Sequence, residues 1–164
     1  ATAWCVTTSA ALADALPAAL EAALARAPRA PIARASLERN GMVIVVPSLA
    51  DAVEVANRRA PEHLEILARD PLRVAEGIRH AGALFLGDMT PEPVGDYVAG
   101  PSHVLPTSGT ARYASPLGVY DFVKRTSVIA YSAARLAADA PHVIALAEAE
   151  RLSGHAEAVR VRLP

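Results

Sequence analysis

Pro61-Glu62-His63 sets a carboxylate beside an imidazole directly after a helix-ending proline. Together such groups can remove a hydroxyl proton and activate water. In an extended segment neighbours point to opposite faces, so the pair acts jointly only if the chain turns there. Asp96 in Gly95-Asp96-Tyr97 and His103 in Pro101-Ser102-His103 lie in a Gly- and Pro-rich stretch, where a carboxylate and an imidazole suit metal or substrate contact. The plainer reading is an Asx turn at Asp96 and a surface or packing role for His103. His155 follows Gly154, five residues after Glu150. Five residues turn a continuous helix by about 140°, placing them on different faces, so a break at Gly154 is needed to unite them. Otherwise His155 serves as a cation near a helix C-terminus. The remaining histidines, His80 and His142, fall on ordinary helical pattern. No G-x-G-x-x-G or phosphate-binding loop is present.

The elements that position these residues alternate between two apolar periods, the pattern of an α/β layered fold. Trp4–Thr8 reads as a strand, and Ser9 caps an Ala/Leu helix that Pro17 kinks or divides before Arg26. A second helix runs through Glu38 and closes at Asn40-Gly41. Met42–Val46 follows as a strand buried on both faces. Ser48, with Asp51 three residues on, starts a helix that ends before Pro61. Leu64–Leu67 is a short strand, Asp70 caps a helix reaching His80, and Ala83–Leu86 is another buried strand. The order β-α-α-β-α-β-α-β predicts a partial doubly wound, Rossmann-like, mostly parallel sheet with flanking helices. Gly87–Leu117 reads as a long functional loop placed beyond the carboxyl ends of the strands. An amphipathic turn (Tyr120–Lys124), a strand (Ser127–Tyr131) and helical sequence from Ala133 complete the chain. Two parts are expected: residues 1–115, an α/β domain with its loop, and 116–164, a small helical appendage.

Composition narrows the class. Of 164 residues 52% are hydrophobic and 20% charged, enough for a core and too apolar for a disordered tail. With 16 Lys+Arg against 17 Asp+Glu, no basic surplus exists to neutralise phosphates, so nucleic acid is not an expected partner. Cys5 stands alone, which excludes an internal disulfide and a four-thiolate zinc site and fits a reducing cytoplasm. No apolar run approaches the roughly 20 residues that span a bilayer, and no membrane contact is expected. Ala1 begins the sequence and the first methionine is Met42, which reads as a processed, trimmed or C-terminal piece of something longer.

Four strings in order carry a specific likeness: Ala60-Pro61-Glu62-His63-Leu64; Gly87-Asp88 leading to Gly95-Asp96-Tyr97; Gly100-Pro101-Ser102-His103-Val104-Leu105-Pro106-Thr107; and Ala149-Glu150-Arg151-Leu152 ending in His155. Together they resemble the C-terminal portion of histidinol dehydrogenase, over nearly the whole chain. The resemblance implies zinc-dependent, NAD-linked oxidation of L-histidinol through L-histidinaldehyde to L-histidine. It assigns Glu62 to activating water, His63 to general base, and Asp96 and His155 to zinc, His155 coming from the other subunit of a homodimer. Substrate contacts are implied for His63, Asp96, His103, Glu150 and His155, with Glu150 at the amino end. Two further zinc ligands in the family, a Gln and a His, precede the strand holding Trp4, and the dinucleotide-binding domain is also upstream. The chain alone is therefore expected to be inactive and to hold zinc weakly, since catalytic zinc usually has three protein ligands. Its half-sheet is expected to leave a bare, self-associating edge. Two other readings fit the same residues: a paralogue oxidising another small alcohol, and a non-catalytic α/β module that binds a partner.

Overall fold

Four strands of four residues each build the frame. In a computed structural model describing residues 1–164, β1 (Trp4–Thr7) pairs in parallel with β2 (Met42–Val45), and β3 (His63–Ile66) with β4 (Ala83–Leu86). Parallel neighbours need long crossovers. Helices α1 (Ala10–Leu24) and α2 (Ala30–Asn40) connect β1 to β2, α3 (Leu49–Arg59) leads to β3, and α4 (Pro71–Ala75) to β4. The expected α/β architecture thus forms as two small parallel sheets with flanking helices. The chain divides into two compact units, Ala1–Phe122 and Val123–Pro164. Residue 115, the expected boundary, lies between two short 3-10 turns at Thr110–Arg112 and Val119–Phe122.

Helix starts follow the capping residues. The Ser9, Ser48 and Asp70 side chains accept the backbone N–H groups of Leu12, Asp51 and Arg73, satisfying donors that the first turn leaves free. Pro17 does not divide α1, which is one helix through Leu24. The proline removes a single N–H, while the surrounding Ala and Leu residues are strong helix formers.

Buried apolar side chains in the first unit are few: Leu24, Val46, Ala60, Ile66, Phe85 and Ala111. Asn57 on α3 is the one buried polar residue. Its amide donates to Gly77 O at 2.9 Å and its oxygen accepts from Arg79 N at 2.7 Å and His80 N at 3.2 Å. These bonds take the backbone groups a longer helix would use, which explains why α4 stops at Ala75 instead of reaching His80.

Two other expectations are corrected. Met42–Val45 and Ala83–Leu86 are strands, yet Met42, Val43, Val45 and Leu84 are exposed, because each strand has one neighbouring strand and limited helical cover. The stretch Ser127–Tyr131 pairs with nothing and forms no strand; its Val128 and Ile129 are exposed. In the second unit, α6 (Ala133–Ala149) packs against α7 (Ser153–Arg160), with Ala140, Ala147 and Ala156 buried and ion pairs from Arg160 to Glu148 and Glu157.

Candidate functional site

The chain reverses direction just before the Glu62-His63 pair. Ala60 ends α3 in the left-handed region at φ 49°, its N–H donating to Ala56 O, and it is 1% exposed. That conformation costs a non-glycine residue about 1–2 kcal/mol, so the packing around the Ala60 methyl must hold it. Pro61 and Glu62 then lead into β3, anchored by Gly82 N to Pro61 O and Ala83 N to Glu62 O, both 2.9 Å. Gly82 is required by proximity: a Cβ there would lie 2.5 Å from Glu62 O. Because Glu62 sits in this bend, it and His63 both line one cavity of about 350 Å³, with Trp4, Arg59, Thr107 and Ser108. The Arg59 guanidinium stacks over the Trp4 ring at 4.9 Å.

His63 and Glu65 share one face of β3, in register with Ala83 and Phe85 of β4. A helix absent from the sequence reading covers that face: α5 (Glu92–Tyr97), inside the segment taken as irregular. The turn leading to it begins at Gly87, held at φ +84°, where the Thr90 hydroxyl donates to Leu86 O. Gly95 lets α5 approach the sheet, since a Cβ there would lie 2.6 Å from the Phe85 ring. The helix runs back along the strand. Glu92 N donates to Glu65 Oε1 at 2.7 Å, and four residues later the Asp96 carboxylate faces His63. The cluster therefore lies at the first residue of β3 and not beyond the carboxyl ends of the strands, because α5 folds over the sheet.

The resulting geometry is that of a cation-seeking site. His63 Nε2 is buried and makes no hydrogen bond, an uncommon state for a buried polar atom. It lies 3.4 Å from Glu92 Oε1 and 3.9 Å from Asp96 Oδ1, while its ring packs against Phe85 with centroids 5.9 Å apart. One ligand atom from each of His63, Glu92 and Asp96 falls within 4.8 Å of the others. Burial, and then the Asp96 charge, push the Glu92 carboxyl above the ordinary carboxylate range, with His63 acting the other way. A positive group beside the two carboxylates would relieve that repulsion. Carboxylate oxygen is a donor that zinc accepts, so the Asp96 side of this cluster fits such an ion, and the His63 nitrogen stays available to a substrate hydroxyl.

Asp96 and His103 also converge. His103 Nδ1 is 3.5 Å from the Asp96 carbonyl oxygen, and both residues line a second cavity of about 320 Å³ with Phe85, Gly95 and Ser102. Glu150 and His155 belong to the second unit. The helical break near them falls earlier than expected, with Gly154 inside α7. Glu150 caps α6, and Arg151 takes the left-handed conformation at φ 61°. Leu152 N donates to Ala147 O and Arg151 N to Glu148 O, the paired bonds of a Schellman turn.

Sequence reasoning missed Glu92 and Glu65. The i, i+4 spacing of Glu92 and Asp96 was the available signal, since it puts two carboxylates on one helix face. It was masked by the surrounding Pro91, Pro93 and Gly95.

A parallel α/β frame with a histidine–carboxylate centre suited to a divalent cation defines the class of this protein. The family model described as histidinol dehydrogenase matches residues 1–163, and the chain belongs to that family. It is 48% identical over 162 residues to histidinol dehydrogenase from Bacillus cereus, covering 99% of this chain and 38% of that relative. It is 55% identical over 157 residues to the enzyme from Nitratidesulfovibrio vulgaris, covering 96% and 36% respectively. A crystal structure of histidinol dehydrogenase from Elizabethkingia anophelis superposes with a TM-score of 0.93 at 31% identity, over 97% of this chain and 36% of that one. The chain thus spans well under half the length of these relatives.

Proposed function

We propose that this chain is the C-terminal portion of a zinc-dependent histidinol dehydrogenase, oxidising L-histidinol through L-histidinaldehyde to L-histidine with NAD in histidine biosynthesis. The observation that carries this reading is the unbonded His63 Nε2 facing the Asp96 carboxylate at 3.9 Å, with Glu62 opening on the cavity His63 also lines. Asp96 and His155 hold zinc, and two further ligands come from the part of the enzyme preceding this segment. His155 is supplied by the other subunit of a homodimer. The cytoplasm, where amino-acid precursors are made, is the location that goes with this role.

When bound, zinc orients and polarises the substrate, and NAD accepts one hydride at each of two oxidations. His63 takes the hydroxyl proton of histidinol as the carbon-bound hydrogen departs as hydride, leaving the aldehyde. Glu62 then draws a proton from water as the water oxygen bonds to the aldehyde carbon. After His63 has passed its first proton to solvent, the hydrate anion loses its remaining carbon-bound hydrogen as hydride and its hydroxyl proton to His63, and becomes the carboxylate. His103, beside Asp96 on the second cavity, contacts the substrate near the metal. Glu150 binds the substrate amino group by charge.

The test is metal stoichiometry in the complete enzyme carrying this segment. One zinc per subunit is expected in the parent, and loss of zinc in Asp96→Ala and in His155→Ala. Heterodimers of the two variants should regain part of the activity, since one of their two sites is then intact. Retention of zinc by both variants overturns the assignment.

A further inference from the structure

Helix α5 has six residues, Glu92–Tyr97, too few to be stable alone. Its own sequence supplies no cap: Pro91 stands at the N-cap without a side-chain hydrogen bond, and Pro93 has no N–H to give. The free donor of the first turn is Glu92 N–H, and its acceptor comes from a different element. Glu65 Oε1, two residues along β3 from His63, takes it at 2.7 Å. At the other end of α5 the contact is a steric fit of Gly95 against Phe85. The Glu65 bond and the Gly95–Phe85 contact tie the helix to the strand pair, and the Thr90 hydroxyl on Leu86 O holds the turn before it. Of these, only the Glu65 bond joins α5 directly to the strand that carries His63.

We propose that Glu65 is a positioning residue: its carboxylate stands in for the missing cap, ties α5 to β3, and so sets Asp96 opposite His63. This rests on the reading of Asp96 as a zinc ligand. Glu65 touches neither of these side chains; it acts through the backbone of Glu92. The required property is an acceptor oxygen at that reach. Charge is not required, and Glu65 in fact adds to the repulsion felt by the Glu92 carboxyl.

The experiment measures zinc affinity of the complete enzyme by competition with a chromophoric chelator, alongside kcat and KM for histidinol. Glu65→Ala should weaken zinc binding by about 10- to 100-fold, the range for lost outer-shell support of a metal ligand. Glu65→Gln keeps an oxygen at the same reach and should bind zinc within about threefold of the parent, a rescue that general destabilisation does not give. Zinc binding by Glu65→Ala within twofold of the parent overturns the proposal, as does a Gln variant as impaired as the Ala variant. Should Glu65→Ala fail to fold, Glu65→Asp withdraws the acceptor by one methylene, and an affinity equal to the parent is then the overturning result. Asp96→Ala is the control on the underlying reading. If it loses zinc while Glu65→Ala keeps it, only this inference falls; if Asp96→Ala itself keeps zinc, the ligand assignment falls first and takes the inference with it.

Discussion

The two strand pairs of the first unit are alike in construction: each is parallel and in register over four residue pairs. They differ in what covers them. On β3–β4, Leu84 is exposed on one face, but Ile66 and Phe85 are buried and α5 lies across the face that carries His63 and Glu65. On β1–β2, Trp4, Met42, Val43 and Val45 remain exposed, and an open cavity of about 640 Å³ is lined by Leu20, Leu24 and Leu37 together with strand residues Trp4, Met42 and Val43. The same backbone geometry thus yields a polar centre in one place and a bare apolar surface in the other. Strand pairing does not make the site. A short helix returned onto the sheet does, by bringing carboxylates to an imidazole that the strand alone would leave facing solvent.

The sharpest way to break this contrast is at the imidazole. His63→Asn in the complete enzyme should slow the first oxidation by about 10²–10⁴-fold with little change in KM, read as NADH formation at saturating histidinol. The difference in cover predicts unequal truncation costs. Phe85→Ala should destabilise by about 3–5 kcal/mol, whereas Val45→Ala should cost about 1 kcal/mol or less, both measured by denaturant unfolding. Equal costs would show that β2 is as well covered as β4. A milder probe adds a methyl where α5 meets the sheet. Gly95→Ala should cost about 1–3 kcal/mol through overpacking, and Phe85→Leu in the same chain should recover part of it.

The smallest effect belongs to the helices beside β1–β2. Arg34 makes a two-pronged pair with Glu21 at 2.7 and 2.8 Å, and that hydrogen bond holds the Glu21 carboxyl below the ordinary carboxylate range. A carboxyl lowered in the folded state stabilises fully above its unfolded value, and the contribution is lost as pH falls through the lowered one. Arg34→Gln should remove this acid-side slope from a thermal-melt series. The change should be small and weaker still in high salt, because both groups are exposed.

Much of the frame was legible because local and global signals agreed. Ser48 and Asp51 announce α3, and Ala83–Leu86 is apolar throughout, as a strand in a parallel pair should be. The failures have physical causes. Pro91, Pro93 and Gly95 read as breakers, yet proline in a first turn gives up an N–H that has no partner anyway, and glycine is there because Phe85 leaves no room for a Cβ. Ser127–Tyr131 has strand-forming residues but no neighbour to bond with, and propensity without a partner makes no sheet. At the site, Glu62, His63, Asp96 and His103 were visible as residue types in suggestive strings. Glu92 and Glu65 were not, since their roles exist only once α5 lies across β3.

The Schellman turn at Arg151 has a consequence for the tail. Hydrogen bonds from Arg151 N, Leu152 N and His155 N close the corner between α6 and α7. Glu150 and His155 sit on that corner, one at the end of α6 and one in the first turn of α7, so a change that opens the turn shifts both positions together.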